Sequence, residues 1–311
     1  MKQFLFRLLL TCLLCAPAFA MPLSSSARAV VPAAVQQIVS VDYHALRASP
    51  TAVALKDRVL PNNMKQFEAA LRAFGIDPDK DVEQITFITY RTPKNVVDAI
   101  GIAQGPMKQK EFLQKARAKG IRPEKYLLSY LYPMGSGMQL VFLDPTTIVF
   151  GESGPLKGAI DVRDKGAESL ATNSTINDLI ADSDSAPVWS VLDQQGTQNM
   201  MRSALGQASS LADYDVIKKR VLASDYVMTF DNGVTFDLSV KTSDNMTAAS
   251  LASLLKAGVM YRKLNATPTE KMALDSMTVD NQHDQLKMNF KTDDQRFQAL
   301  LKSDLFASVS H

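Results

Sequence analysis

The most regular patterning in the chain surrounds Asn232-Gly233. Tyr226, Met228 and Phe230 alternate with other positions before it, and Phe236, Leu238 and Val240 alternate after it. Period-two alternation puts one set of side chains on one face of a strand. Asn-Gly favours the positive φ angles of a tight hairpin turn. The pattern predicts a hairpin with one apolar face. Its other face, carrying Thr235, Asp237, Ser239 and Lys241, is polar, as in an antiparallel sheet covered on one side. Leu286, Met288 and Phe290 against Lys287, Asn289 and Lys291 repeat the pattern, so 276–280 and 286–291 form a final hairpin. The spans 84–91 and 96–104, and 126–132 and 138–143 across Gly135-Ser136-Gly137, predict two more hairpins. Ile148-Val149-Phe150 adds a strand.

Helical spacing fills the intervals. Ser49-Pro50 is a cap followed by proline at the first helical position, opening a helix to about residue 60. Phe67, Ala70, Leu71 and Phe74 stand at i, i+3, i+4 and i+7, with Gly75 as the stop. Further helices are predicted at 108–119, closed by Gly120, and at 155–163, 174–182, 197–206, 213–221 and 246–263. Thr267-Pro268-Thr269-Glu270 is a capping box, and Thr292 or Asp293 caps a last helix carrying Phe297, Leu300 and Leu301.

These elements fall into two halves. Ile38-Val39-Ser40-Val41-Asp42 and Val188-Trp189-Ser190-Val191-Leu192-Asp193 open similar programmes of strand, helices, hairpin and helix, and the polar stretch 164–187 lies between them. The expected organisation is a leader at 1–20, a flexible segment at 21–36, a first half at 37–185 and a second at 186–311. Hairpins outnumber parallel crossovers, so the class is α+β with antiparallel sheets. Two related halves are expected, each an antiparallel sheet with helices packed on one face. One continuous sheet shared by both is the alternative.

The leader changes the charge and thiol content. Lys2 and Arg7 precede an apolar run through Leu14, and Ala18-Phe19-Ala20 is a small-x-small cleavage site, the pattern of a secretory signal peptide. No later stretch is long enough for a transmembrane helix. The chain of 311 residues is 46% apolar and 21% charged, an ordinary globular composition. Cleavage after Ala20 removes Lys2 and Arg7 from 34 Lys+Arg, leaving as many basic as the 32 acidic residues. A neutral chain exerts no bulk attraction on nucleic acid. Both cysteines, Cys12 and Cys15, leave with the leader, so the mature chain is cysteine-free. That suits the bacterial periplasm, where stray thiols are oxidised.

Several segments carry a resemblance. They are Ser40-Val41-Asp42 with Leu46 and Ser49-Pro50, Phe74-Gly75-Ile76-Asp77-Pro78 with Lys80-Asp81-Val82, Thr147-Ile148-Val149-Phe150-Gly151, and Ala159-Ile160-Asp161. In these the chain resembles secreted bacterial proteins of unknown function with duplicated α+β halves. The resemblance spans roughly residues 36–200 and implies no activity, so no catalytic residue follows from it.

The side chains offer little chemistry. The histidines, His44, His283 and His311, sit in no H-x-x-x-H spacing, and the serines near Gly135 and Gly151 lack the G-x-S-x-G elbow. No phosphate-binding glycine loop occurs. Asp77-Pro78-Asp79-Lys80-Asp81 reads as a turn rather than a calcium loop. Met134 with Met138, and Met200 with Met201, are the soft-ligand sets to weigh against core packing, and only the first flanks a loop. No catalytic, cofactor-binding or metal residues are assigned, and no cofactor is expected. The expected function is an exported, non-enzymatic binding or interaction protein of the bacterial periplasm or envelope. Its partner would be a small apolar ligand held between sheet and helices, or an envelope protein. An envelope-assembly scaffold, or a hydrolase without a recognisable motif, is the alternative.

Overall fold

The computed structural model describes residues 22–59, 62–205 and 214–302. The chain opens with helix α1 (Ser25–Val30), strand β1 (Val35–Asp42) and helices α2 (Tyr43–Arg47), α3 (Pro50–Val59), α4 (Asn62–Ala73) and α5 (Pro78–Asp81). Strands β2 (Gln84–Arg91) and β3 (Val97–Gln104) follow, then α6 (Gln109–Ala118). Next come β4 (Glu124–Tyr126), β5 (Ser129–Gly135), β6 (Met138–Asp144) and β7 (Thr147–Glu152), with helices α7 (Ser153–Lys165) and α8 (Ser174–Ser183). The C-terminal part runs β8 (Val188–Leu192), α9 (Gln194–Leu205), α10 (Tyr214–Ile217), β9 (Val221–Thr229) and β10 (Val234–Thr242). It ends with α11 (Asn245–Asn265), α12 (Pro268–Asp275), β11 (Met277–Gln282), β12 (Gln285–Thr292) and α13 (Asp294–Leu300). The leader, Cys12, Cys15 and His311 lie outside the described residues.

Local signals fix many of these boundaries. Ser49 Oγ accepts from the Ala52 N–H, and Thr267 and Glu270 form both arms of the capping box. Asn232 and Gly233 both have positive φ, 56° and 123°. A Cβ on Gly233 would lie 2.2 Å from the Thr292 carbonyl oxygen, so only glycine fits that turn against β12.

The fold is α+β with an antiparallel sheet, but the sheet is single. Its twelve strands run in the order β11-β12-β10-β9-β8-β1-β2-β3-β7-β6-β5-β4. The seam is the antiparallel pair β1–β8, with Ile38 opposite Val191 and Ser40 opposite Trp189. Asp42 N–H donates to the Pro187 carbonyl at 2.7 Å, and Arg91 Nη2 lies 2.5 Å from Asp193 Oδ2 across the same boundary. The two expected sheets are therefore joined edge to edge, because each half offers its first strand to the other.

Both faces of the sheet are covered over β1–β7. On one face Ile38, Ile88, Ile102, Val149 and Trp189 pack under α1, α7 and α8. On the other, Ile85, Phe87, Ile148 and Phe150 meet Phe67 and Leu71 of α4 and Phe112 of α6. Phe150 stacks on Phe67 at 4.3 Å and also covers Gly101, where a Cβ would sit 2.1 Å from its ring. Over β9–β12 this second face is covered by Leu251 and Leu255 of α11 and by Phe297 of α13, while on the first face α8 reaches only as far as β9, against Val227. Helices on one face thus describes the second half, whereas the first half is a three-layer arrangement.

Two further expectations change. The segment 21–36 is not loose where it is described. Leu23, Ala27, Val30 and Val31 are buried in the core, and Ser24 caps α1 through the Ala27 N–H. Ser26 Oγ donates to Asp144 Oδ2, and Ser24 N–H donates to Gln104 Oε1, tying α1 to the sheet. The strand expected at 126–132 is two strands, β4 and β5, separated by a turn at Leu127-Leu128.

Because Leu23 is only 4% exposed, Leu23→Ala is expected to lower unfolding free energy by about 2–4 kcal/mol. Chemical denaturation checks this. A loose N-terminus would give no change.

Candidate functional site

The uncovered half-face of the sheet is a surface of polar side chains. Period-two alternation sends Leu238, Val240 and Leu286 toward α11 and leaves Asp225, Asp237, Ser239, Lys287 and Asn289 on the opposite side. These side chains line an open depression of about 330 Å³. Lys287 Nζ donates to Ser239 Oγ at 2.9 Å, and Asn289 Nδ2 donates to Asp237 Oδ1 at 2.7 Å. Both bonds join neighbouring strands β10 and β12, so the array is held in register. Burial pushes the Asp225 carboxyl above the ordinary aspartate range, and the Asp182 charge adds to this. The Lys287 ammonium opposes the shift without cancelling it.

A second depression, of about 300 Å³, lies among α2–α5. Tyr43 donates its hydroxyl to Glu68 Oε1 at 2.5 Å, and Lys56 Nζ stands 3.0 Å from the same oxygen. The Lys56 ammonium also lies 4.3 Å from the Tyr43 ring centroid, within cation–π range. Arg72 pairs with Asp79 at 2.7 Å. Burial, the hydrogen bond to Glu68 and the Glu68 charge all raise the Tyr43 pKa. These groups satisfy one another and lock the helices together. No nucleophile within the network stands beside a free base.

The residues weighed for chemistry in the sequence do not converge. His44 is exposed on α2 and His283 is exposed in the β11–β12 turn with φ 55°. Asp77 caps α5, Asp81 accepts the Asp77 N–H, and Arg72, Lys80 and Lys108 pair with this acidic group. Met134 and Met138 are buried in the core beside Leu140, not presented by a loop. No group of three or more His, Cys, Asp or Glu side chains suited to a metal occurs among the described residues. None of their helices is long and apolar enough to cross a membrane.

Among the described residues, side chains of three large core clusters pack between sheet and helices, and the two depressions described above open to solvent and carry charged groups. Alternation identifies the residues of the polar half-face, whereas the helical layer that stops short of it depends on long-range packing that no local pattern announces.

No protein-family model matches the chain, and no curated protein matches it. Among solved structures it is similar to TP0453 of Treponema pallidum. Crystal form I aligns with a TM-score of 0.50 at 10% identity, over 92% of this chain and 99% of that one. Crystal form III aligns with a TM-score of 0.49 at 11% identity, over 91% and 98%. The likeness is one of fold.

The Asp225 shift sets a pH dependence. A carboxyl whose folded pKa exceeds its unfolded value holds its proton more tightly in the folded chain. Its contribution is greatest in acid and is lost as pH rises through the folded pKa. Asp225→Asn is therefore expected to raise Tm at pH 7 more than at pH 4. Thermal melts at both values check this, and an equal change at each would contradict it.

Proposed function

We propose that this is an exported, non-enzymatic binding or interaction protein of the bacterial envelope, and that it meets its partner on the polar half-face of β9–β12. The supporting observation is the unequal covering of one sheet. A third layer closes the face over β1–β7, while Asp237, Lys287 and Asn289 remain open to a partner. These side chains are already cross-linked by hydrogen bonds between strands, so binding orders little that is not ordered beforehand. Export is supported by the leader pattern at 1–20 and the cysteine-free remainder. The matching order of strand, helices and hairpin on either side of the seam supports a duplication of one ancestral half.

Native mass spectrometry of the full-length gene product, isolated gently from its own host, tests both parts. The expected chain begins at Met21 and carries a reproducible bound mass. Asp237→Lys with Lys287→Glu is expected to remove that mass while leaving the circular dichroism spectrum unchanged. A chain still beginning at Met1 refutes export. A bare chain, or a bound mass indifferent to both substitutions, refutes the half-face reading.

A further inference from the structure

The β4–β5 hairpin is built against ordinary turn chemistry. Tyr126 pairs with Ser129, so Leu127 and Leu128 alone make the turn. Leu127 has φ 50°, at the first central position, where Cβ sterics favour glycine. The other non-glycine residues with positive φ among the described residues are Asn95, Ser136, Asn232 and His283, all polar. Leu128 is 85% exposed, the highest value among the large apolar side chains described. Leu127 and Tyr130 beside it are exposed as well, at 41% and 52%.

The hairpin carrying this tip is firmly anchored. Arg163 of α7 donates from Nη2 to Ser129 Oγ at 2.7 Å and from Nε to Asp164 Oδ1 at 2.6 Å. The Arg163 hydrogen bond holds the Asp164 carboxyl below its ordinary range, and a bond from the Leu128 N–H contributes. Tyr126 donates its hydroxyl to Asp161 Oδ1 at 2.8 Å, and Lys157 pairs with Glu124 at 2.6 Å. One helix therefore fixes both strands and the turn. β4 is also the last strand of the sheet, so its outer edge pairs with no described strand.

We propose that Leu127-Leu128 is a preorganised apolar knob that docks into an apolar socket on a partner protein. A socket rewards a fixed shape, since immobilisation has already taken place. A bilayer accepts leucine in any backbone conformation and returns nothing for a fixed left-handed turn. The surroundings agree with a protein interface. The Arg163–Asp164 pair is largely buried beneath the turn, and on the helix that carries the hairpin Lys157 pairs with Glu124 and Lys165 with Asp161, so beside Lys125 most of the nearby cationic charge is already neutralised by carboxylates. The knob lies at the β4 end of the sheet and the polar half-face at the β11 end, so either reading can fail alone.

The test uses the full chain in its own host, with a photo-reactive residue in place of Tyr130. Three backgrounds are compared: the natural turn, Leu127→Asn with Leu128→Gly, and Leu128→Ser alone. With the natural turn, irradiation is expected to give one discrete adduct with another protein, attached through an apolar peptide of that protein. Yield is expected to fall at least tenfold in both variants, while the Tm of the purified variants stays level or rises, because the replacements suit the turn. A Tm several degrees lower in both variants would make the tip a structural element and overturn the proposal. So would an adduct indifferent to the turn, no adduct at all, or only self-adducts. Turn-dependent flotation with phosphatidylethanolamine–phosphatidylglycerol vesicles would assign the knob to a membrane instead.

Discussion

A twelve-stranded sheet has two faces, and every strand must bury at least one of them. That constraint organises the molecule. Near the seam, where both faces are covered, strands read as nearly unbroken apolar runs, such as Ile38-Val39-Ser40-Val41 and Val188-Trp189-Ser190-Val191-Leu192. At the β11 end the face opposite α11 is exposed, and strict alternation returns. Covering by α1, α7 and α8 therefore decides which positions need to be apolar and where the surface can carry charge.

Much of this was readable from the residues, and the failures have physical causes. The Asn232-Gly233 turn, the Thr267–Glu270 capping box and the Gly75 stop are local, so composition alone located them. Strand partnership across the seam is not local, because β1 and β8 are far apart in the chain. The apolar runs of β1 and β8 were the available sign of central strands. The N-terminal segment, rich in Ser, Ala and Pro, has the composition of a loose terminus. Yet Leu23, Ala27, Val30 and Val31 follow helical spacing, and they pack in one core with Leu156, Ala159 and Ile160 of α7. The Leu127-Leu128 turn was hidden because two leucines resemble the interior of a strand.

The candidate sites differ in kind. In the Tyr43–Glu68–Lys56 network each charged or hydroxyl group has a partner within the network, which makes it a lock between helices. On the half-face, hydrogen bonds arrange the side chains but leave one side open. Asp225 lies at the inner edge of this face beside Ser183 and Ser239, its carboxyl raised by burial.

The seam also determines when the fold can be completed. β1 needs β2 on one edge and β8 on the other, yet β8 is synthesised about 150 residues after β1, a span set by Ile38 opposite Val191. Until then a strand apolar on both faces waits with an open edge, and closing so long a loop is slow. The first half on its own thus exposes its most aggregation-prone edge, and the second half acts as the strand's intramolecular protector. Severing the chain between α8 and β8 would separate two pieces that each end in a sticky strand, so the halves are joined by a dependency of folding as well as by hydrogen bonds.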